Sequence, residues 1–439
     1  MVAFKFPMDT GKFIGDLTKD QMYAMAEDHC LMFRVQFENL VPLNDIEHPI
    51  SASKCRWKDG KPILSHRPKD DYRKEDPEIS VDNGRIITAK WLEITCTEQD
   101  FRTYELFYDW ESYRIFDCVA YKKQYLPTSF VKAILKLYKD KTMLKGVDGE
   151  EVNYMLSKEM LNSAYGMTVT DIVRENLEYD ENVDSGCYSN YEHMSDDEYE
   201  KYLKDQIARY NNNPYRFLFY AWGVWVTAYA RANLFSGIRA AGKDYIYSDT
   251  DSIKITNPET HFDYINRYNE NIAERLREAC EYHGIDFSET KPKNIKGEEK
   301  PLGAWEFEGI YDEFKTLGAK RYLTKTIVQT EDGTKEVWKL TTAGVNKISG
   351  MKYLEKEAER LHKTPFDLFN LNLVVPKEYS GRNILTYIDE PAQGILTDYL
   401  GNRAEYDELS AIHMEAAEYS LNPVDEFLKL IFDIREERW

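Results

Sequence analysis

The segment Tyr247-Ser248-Asp249-Thr250-Asp251-Ser252 places two carboxylates one residue apart, and the stretches on both sides of it favour β structure. We expect two short strands here, with Asp249-Thr250 at or near the tip of a hairpin. Side chains at positions i and i+2 of an extended chain point to the same face, so Asp249 and Asp251 are expected to face one cleft. Two carboxylates this close repel each other unless a divalent cation lies between them, and hard oxygen ligands of this kind suit Mg²⁺.

Other kinds of site also use closely spaced aspartates. An EF-hand loop is excluded here, because Ile253 occupies a ligand position of that loop, Lys254 its glycine position and Thr260 the place of its final glutamate. An ordinary Asp-rich turn stays open as an alternative. A glycosyltransferase that binds a nucleotide sugar through a metal ion held by Asp-x-Asp is the rival class of enzyme.

A second segment, Lys158-Glu159-Met160-Leu161-Asn162-Ser163-Ala164-Tyr165-Gly166, lies in a predicted helix over residues 150–165, which Gly166 is expected to end. Lys158, Asn162 and Tyr165 stand at i, i+4 and i+7 and therefore share one stripe of the helix surface. An ammonium group, an amide and an aromatic ring on one stripe can contact a triphosphate, a sugar and a base. The alternative is an ordinary helix face at the edge of solvent.

The third segment is Lys320-Arg321-Tyr322, which follows Leu302-Gly303-Ala304-Trp305 in a region predicted to be rich in strands. On a strand, Lys320 and Tyr322 would share a face. A cation beside an aromatic hydroxyl can hold a phosphate and a sugar of a nucleic-acid strand, although this triplet is unspecific by itself.

Together, and in this order, the three segments resemble the motifs of family B DNA polymerases. The fingers motif K-x-x-x-N-S-x-Y-G of that family is matched by Lys158, Asn162, Ser163, Tyr165 and Gly166. The palm motif Y-x-D-T-D-S is matched by Tyr247, Asp249, Thr250, Asp251 and Ser252, and the K-x-Y motif by Lys320 and Tyr322. The segments Leu302-Gly303-x-Trp305 and Ala343-Gly344-x-x-Lys347 resemble the protein-primed, phage branch of the family.

The resemblance implies template-directed addition of dNMP from dNTPs to a primer 3′-hydroxyl, in phage or mobile-element replication. Asp249 and Asp251 would help to hold two Mg²⁺ ions, with Mn²⁺ as an alternative, and Asp251 would be the more direct ligand. Lys158 and Lys145 would contact the triphosphate, while Asn162 and Tyr165 would line the nascent base pair. Lys320 and Tyr322 would hold the primer terminus. The remaining motif residues are expected to contact primer or DNA: Ser163, Gly166, Tyr247, Thr250 and Ser252.

The expected architecture is an α+β chain with an incomplete antiparallel polymerase palm, helical fingers, an insertion and a thumb. We assign residues 1–126 to part of the palm with an insertion, 127–167 to the fingers, 168–215 to an acidic insertion, 216–330 to the palm with the catalytic hairpin, and 331–439 to the thumb and C-terminal region. Strands are predicted at Arg85–Thr97, Tyr104–Tyr108, 302–330 and 335–342. Helices are predicted at Phe130–Lys141 and 216–238, and helices with loops at 349–439.

One motif of the family is missing from the sequence: the palm segment D-x-x-S-x-Y-P, which carries the other main metal ligand. The near match Asp109-Trp110-Glu111-Ser112-Tyr113-Arg114 lacks the proline. Because Lys5-Phe6-Pro7 resembles the segment that follows the motif, we expect the chain to begin just downstream of it and to lack the exonuclease domain. Either a separate N-terminal polymerase/exonuclease chain supplies both, or the gene is truncated and the chain alone is inactive. A non-catalytic DNA-binding remnant is the third alternative.

The net charge of −20 argues against a nucleic-acid binder, because phosphate contacts need lysine and arginine. The charges are unevenly distributed, however. Acidic residues concentrate around 175–205, whereas lysines concentrate at 132–145 and 291–300. A cleft can be basic while the outer surface is acidic, so DNA primer-template and dNTPs remain the expected partners, with a terminal priming protein as a further candidate.

The six cysteines include no C-x-x-C pair, which makes zinc sites and a disulfide framework unexpected and favours a reducing, cytoplasmic environment such as a bacterial host cytosol. The most apolar run, Phe217–Ala230, is shorter than the roughly 20 residues that a membrane span needs, so we interpret it as part of a buried helix. We therefore expect no membrane association.

Overall fold

The chain divides into two units, Met1–Glu306 and Phe307–Trp439, each with its own hydrophobic core. The computed structural model describes residues 1–58, 78–82, 84–170, 172–173, 177–179, 187–189, 194–214, 219–330, 333–390, 394–397, 400–406 and 409–422. The first unit contains both of the longer motifs, and its architecture determines how they are placed.

The N-terminal part of the first unit is an eight-stranded antiparallel sheet with two helices. In chain order its elements are β1 (Phe6–Pro7), β2 (Lys12–Leu17), α1 (Lys19–Met25), β3 (His29–Pro42), β4 (Cys55–Arg56), β5 (Ile79–Asp82), β6 (Arg85–Thr97), α2 (Glu98–Phe107), β7 (Tyr108–Asp109) and β8 (Ser112–Gln124). The central strand order is β1-β8-β3-β6-β4, while β2 pairs with β8, β5 with β6 and β7 with β3. This is the mixed helix and antiparallel strand architecture that the sequence predicts.

Strand β3 shows why one face of this sheet is buried. Leu31, Phe33, Val35 and Phe37 alternate with more exposed residues, so their side chains point to the same face. Val35 pairs with Ile94 of β6 on one side and with Ile115 of β8 on the other, which extends the apolar face across three strands. Residues of α2 pack against this face and complete the first core.

The predicted strand Arg85–Thr97 is confirmed as β6, but the predicted strand Tyr104–Tyr108 is mostly helix. The reason is a capping box at the start of α2. The Thr97 hydroxyl accepts a hydrogen bond from the Asp100 backbone N–H at 3.3 Å, and the Asp100 carboxylate accepts one from the Thr97 N–H at 3.2 Å. The aromatic residues that suggested a strand lie on the helix that this box initiates.

The rest of the first unit is mainly helical. It contains α3 (Thr128–Leu144), α4 (Glu151–Gly166), β9 (Leu177–Tyr179), β10 (Cys187–Ser189), α5 (Asp196–Asn211), α6 (Tyr220–Ala241), β11 (Tyr245–Asp249), β12 (Ser252–Ile255) and α7 (Phe262–His283). The helices predicted at 130–141, 150–165 and 216–238 are therefore confirmed with small shifts of their ends. The predicted acidic insertion contains the β9–β10 hairpin and α5, and its residues 171, 174–176, 180–186, 190–193 and 215 lie outside the described part.

Helix α6 packs against both hydrophobic cores of the first unit. Its Trp222, Trp225 and Tyr229 join a second core with residues of α3, α7 and β1, and its Phe235 and Ile238 join the core of the large sheet. The buried helix predicted from the apolar run is thus present. Among the helices of the described residues, none combines the length and the apolarity needed to cross a membrane.

The second unit is built on a three-stranded antiparallel sheet and α8. Its elements are β13 (Glu313–Gly318), β14 (Arg321–Thr330), β15 (Gly333–Thr342), α8 (Lys347–Leu361), α9 (Pro365–Leu368), β16 (Val374–Val375), α10 (Lys377–Ser380), β17 (Arg382–Glu390), β18 (Gly394–Thr397), β19 (Arg403–Tyr406), β20 (Leu409–Ala417) and β21 (Tyr419–Ser420). The strands predicted at 335–342 are confirmed, whereas the strand signal over 302–312 is wrong. The prediction of helices and loops after residue 349 also misses β17 to β20.

Candidate active site

The two aspartates lie at the tip of the β11–β12 hairpin. Asp249 pairs with Ser252, so Thr250 and Asp251 form the two-residue turn. Thr250 has φ +57°, and the Asp251 N–H donates to the Asp249 carbonyl at 2.6 Å, which closes a tight turn around Thr250. A β-branched residue rarely takes positive φ, so this turn stores backbone strain between the two carboxylates.

The predicted hairpin is confirmed, but the predicted extended chain from Asp249 to Asp251 is wrong, because Thr250 reverses the chain direction between them. Asp249 ends β11 and is partly exposed, and Asp251 is an exposed turn residue. The two carboxylates are thus neighbours across a turn rather than along a strand.

Hydrogen bonds between neighbouring residues hold the tip of the β11–β12 hairpin in place. The Thr250 hydroxyl donates to Asp249 Oδ1 at 3.0 Å, and the Ser252 hydroxyl donates to the Asp249 carbonyl at 3.3 Å. Thr250 and Ser252, which the resemblance assigns to DNA contact, therefore also orient Asp249. The Tyr247 ring, assigned the same role, is buried.

Asp244 closes the base of the hairpin. Its carboxylate accepts hydrogen bonds from Asn257 at 2.9 Å and Thr256 at 3.0 Å, and its Oδ2 lies 3.0 Å from Nε2 of His261. The bonds from Asn257, then His261 and Thr256, lower the pKa of Asp244 below its usual value. Because a carboxyl with a depressed pKa stabilises the fold above its unfolded pKa, this contribution is lost as the pH falls through the folded pKa.

Tyr245 ties the hairpin to the loop after β3. Its hydroxyl lies 2.9 Å from the Ser248 hydroxyl and donates to Glu47 at 3.3 Å. Burial raises the pKa of Tyr245 to about 12, so the phenol stays protonated at neutral pH. The sequence did not identify Tyr245 or Glu47 as part of the site, because the two residues are 198 positions apart and no local pattern joins them.

The stripe of Lys158, Asn162 and Tyr165 lies on one helix, α4, as predicted. Lys158 and Tyr165 are partly exposed on α4, and Asn162 is exposed. Ser163 and Gly166 are exposed on the same helix, and Lys145 is exposed at the C-cap of α3. Gly166 does not end the helix in a left-handed conformation: its φ is −54°, and the chain continues into a 3₁₀ turn at Met167–Val169.

Lys320 and Tyr322 belong to the second unit, and the prediction that they share a strand face is wrong. Gly318 pairs with Arg321, so Lys320 lies in the turn between β13 and β14, with φ +53°. The Lys320 carbonyl accepts a hydrogen bond from the Ala343 N–H at 3.0 Å. Tyr322 does lie on β14, where its ring stacks on Phe314 at 5.4 Å between centroids.

The donor set at the hairpin tip fits a hard divalent cation in chemistry, since it offers two carboxylates and no soft ligand. Within the described residues, no cluster of three or more histidine, cysteine, aspartate or glutamate side chains is placed to hold a metal ion. Asp109, the near match to the missing palm motif, ends the short edge strand β7 and is exposed, and it does not complete such a cluster.

The sequence matches no protein-family model, and no curated protein matches it. Solved structures do match. The Phi29 DNA polymerase complexed with primer-template DNA and incoming nucleotide substrates is 14% identical, with 95% of this chain and 55% of that chain covered and a TM-score of 0.50. The orthorhombic crystal form of Phi29 DNA polymerase is 14% identical over 96% of this chain and 56% of that chain, with a TM-score of 0.52.

A third match, the same polymerase complexed with single-stranded DNA, is 15% identical over 95% of this chain and 54% of that chain, with a TM-score of 0.51. The chain thus spans about half the length of these structures and has part of their fold. The resemblance to a protein-primed polymerase is confirmed at the level of the fold.

Proposed function

We propose that this chain carries the nucleotide-addition site of a DNA polymerase, which extends a primer with dNMP taken from dNTPs under the direction of a template. The observation that carries the proposal is the Asp249–Asp251 turn, held at the tip of a hairpin within a fold similar to Phi29 DNA polymerase. Matched structures of that polymerase hold primer-template DNA and incoming nucleotides, which supports the same ligands here.

Asp249 and Asp251 would hold the divalent ions, Mg²⁺ or Mn²⁺. When bound, such a pair of ions would neutralise charge on the triphosphate and favour ionisation of the attacking 3′-hydroxyl. The hairpin would orient these carboxylates. Thr250 hydrogen-bonds the Asp249 carboxylate and Ser252 its backbone carbonyl, while the bonds of Tyr245 and Asp244 fix the strands behind the turn. Phosphoryl transfer depends mainly on such positioning and on charge neutralisation.

The stripe on α4 would receive the incoming nucleotide. Lys158 would bind the triphosphate as a point charge, and Lys145 would add a second positive charge. Asn162 and Tyr165 would lie against the nascent base pair. In the second unit, Lys320 and Tyr322 would hold the primer strand. The Lys320 ammonium would then contribute to the salt dependence of DNA binding.

The proposal extends to protein-primed replication of a phage or mobile element in a bacterial cytosol, with a terminal protein as a partner. The Leu302-Gly303-x-Trp305 segment and the fold likeness support it. A polypeptide that carries the D-x-x-S-x-Y-P motif and the exonuclease is a further proposed partner, because no match to that motif occurs in the sequence.

Primer extension with Mg²⁺ and dNTPs, with and without such a polypeptide, tests the proposal. Asp249→Asn and Asp251→Asn should each lower extension by about 10³-fold or more, since residues of a catalytic group act as a unit. Their affinity for primer-template should stay within about twofold of the parent protein, because uncharged Asn is nearly isosteric and phosphate contacts are made elsewhere.

The matched control is Asp263→Asn, which removes an exposed carboxylate from the first turn of α7 without touching the hairpin. Near-normal primer extension by both Asp249→Asn and Asp251→Asn would contradict the proposed metal-binding role of the two aspartates. DNA binding without any extension, under every metal and partner condition, would instead favour a DNA-binding chain without catalysis.

A further inference from the structure

At Gly223, helix α6 contacts the 3₁₀ turn Met167–Val169 that follows α4. A methyl group built on Gly223 would lie 2.5 Å from the Thr168 hydroxyl and would overlap a methyl of Val169. Real side chains do not approach this closely, so a larger residue at this point of α6 would force its neighbours to shift. Thr168 is itself buried, and its hydroxyl donates to the Tyr165 carbonyl at 2.6 Å.

The contact is therefore one hydrogen bond away from the proposed nucleotide-binding stripe. Tyr165 belongs to that stripe, and Asn162 lies one helical turn before it on α4. A displacement of Thr168 would move the last turn of α4 and with it both side chains.

Helix α6 is anchored and would not give way. The Trp222 indole N–H donates to the Pro7 carbonyl at 2.8 Å, and the Trp225 N–H donates to Glu98 at 3.1 Å. The Tyr229 hydroxyl donates to the Lys5 carbonyl at 2.9 Å. In α4, all of which the structure describes, the buried residue is Ser157. Helix α4 also contacts the second core through the partly buried Leu161, but it buries far fewer residues than α6, so we expect α4 to absorb the added volume.

The other end of α6 contacts the catalytic hairpin. A methyl on Gly237 would lie 3.1 Å from the Trp305 ring and 3.5 Å from the Ile253 side chain, and Ile253 belongs to β12. Gly223 and Gly237 are separated by fourteen positions, or roughly 21 Å of helix at 1.5 Å per residue. One rigid element therefore touches the end of α4 and the hairpin that bears Asp249 and Asp251.

From this geometry we propose that Gly223 is a positioning residue, which sets the location of the Asn162–Tyr165 end of α4 relative to the Asp249–Asp251 hairpin. The catalytic consequence rests on the proposed function, whereas the steric consequence does not. The two can be measured separately.

The steric measurement is a distance between spin labels at Glu159→Cys on α4 and Glu259→Cys just after the hairpin, both of which are exposed. Five of the six native cysteines, Cys30, Cys55, Cys96, Cys118 and Cys280, are buried, and Cys187→Ser removes the sixth thiol. Gly223→Ala should shift the mean distance by about 1–2 Å, because overlapping carbons must retreat to a separation of about 3.5–4.0 Å. Gly223→Val should shift it further.

The decisive control is the background Thr168→Ala, Val169→Ala, which removes both atoms that the new methyl would meet. In that background Gly223→Ala should shift the distance by less than half as much as in the native background. If Gly223→Ala alone is too unstable to purify, the two truncations should restore folding. No shift in the native background, or an equal shift in the truncated one, would overturn the inference whether or not the protein polymerises DNA.

The kinetic measurement is primer extension by four of these proteins: the parent, Gly223→Ala, the Thr168→Ala, Val169→Ala background, and Gly223→Ala in that background. Gly223→Ala should lower kcat/KM for dNTP about tenfold to a hundredfold, with unchanged primer-template affinity, and the truncated background should relieve most of this loss. A relieved distance shift with unchanged kinetics would count against a role of the stripe in nucleotide binding and thus against the proposed function.

Discussion

Thr250 sits between the two aspartates in a conformation that its side chain disfavours. Positive φ at a β-branched residue costs on the order of 1–3 kcal/mol, and it persists where the surroundings impose it. Here the turn places Asp251 directly beyond Asp249, and the Thr250 hydroxyl holds one Asp249 oxygen. The strain is located at the carboxylates themselves, which is typical of a site that is organised in advance for its ligands.

Thr250→Gly should therefore separate stability from function. Glycine adopts positive φ without a steric penalty, so we expect the free energy of unfolding to stay the same or to rise by up to about 1 kcal/mol. Extension should nevertheless fall, because the hydroxyl that orients Asp249 is lost. Urea unfolding and primer extension measure the two effects.

Thr250→Ser is the matched control, since it keeps the hydroxyl and removes only the branching methyl. It should retain most of the activity. A glycine variant that is both less stable and fully active would contradict this account of the turn.

At the scale of elements, Glu98 connects three parts of the first unit. It opens α2, accepts from the Leu31 N–H of β3 at 3.0 Å, and accepts from the Trp225 indole of α6 at 3.1 Å. The side chain is fully buried, and burial raises its pKa above the usual range. This single carboxyl group thus links α2 both to β3 of the large sheet and to α6, the helix that contacts the β11–β12 hairpin.

Glu98→Ala should destabilise the first unit by about 2–4 kcal/mol, because it leaves two buried donors unpaired. Arg102→Ala on the exposed side of α2 is the control; it removes a cation–π contact with Tyr23 and should change stability by less than about 1 kcal/mol. Denaturant unfolding followed by tryptophan fluorescence measures both. If Glu98→Ala lowered the free energy of unfolding no more than Arg102→Ala does, the Leu31 and Trp225 N–H groups would have to find other hydrogen-bond partners.

At the scale of the whole molecule, the first unit buries several phenols and thiols. Burial raises the pKa of Cys55 and Cys118 from 9.0 to about 12, and that of Tyr138, Tyr245 and Tyr268 from 10.0 to about 12. These acids ionise earlier in the unfolded chain than in the folded protein. Between the two pKa values the unfolded state binds fewer protons, so the free energy of unfolding must fall as the pH rises.

We therefore expect the urea midpoint to decrease from about pH 9 upwards, with most of the loss complete near pH 12. Tyr245→Phe should make this decrease shallower, because one of the titrating groups is removed. Unfolding curves at pH 8, 10 and 11, with tyrosine ionisation followed by absorbance, provide the measurement. A midpoint that does not change over this range would show that these groups ionise in the folded protein as they do in the unfolded one.

The sequence alone determined the elements whose signals are local. The hairpin that bears Asp249 and Asp251, the helix that bears Lys158 and Tyr165, and the apolar helix α6 were all predictable, because each depends on a short pattern of side chains. The order of these motifs along the chain predicted the resemblance to protein-primed polymerases, and the likeness to Phi29 DNA polymerase confirms part of that fold.

Only the tertiary structure decided where the chain turns and what it meets. Residues 104–107 of the aromatic stretch are helical because Thr97 and Asp100 cap their helix, and Lys320 lies in a turn because β13 and β14 pair around it. The contact of Gly223 with Thr168 and the link from Tyr245 to Glu47 join residues far apart in sequence. Such contacts depend on how whole elements pack, and no local pattern of residue types records that packing.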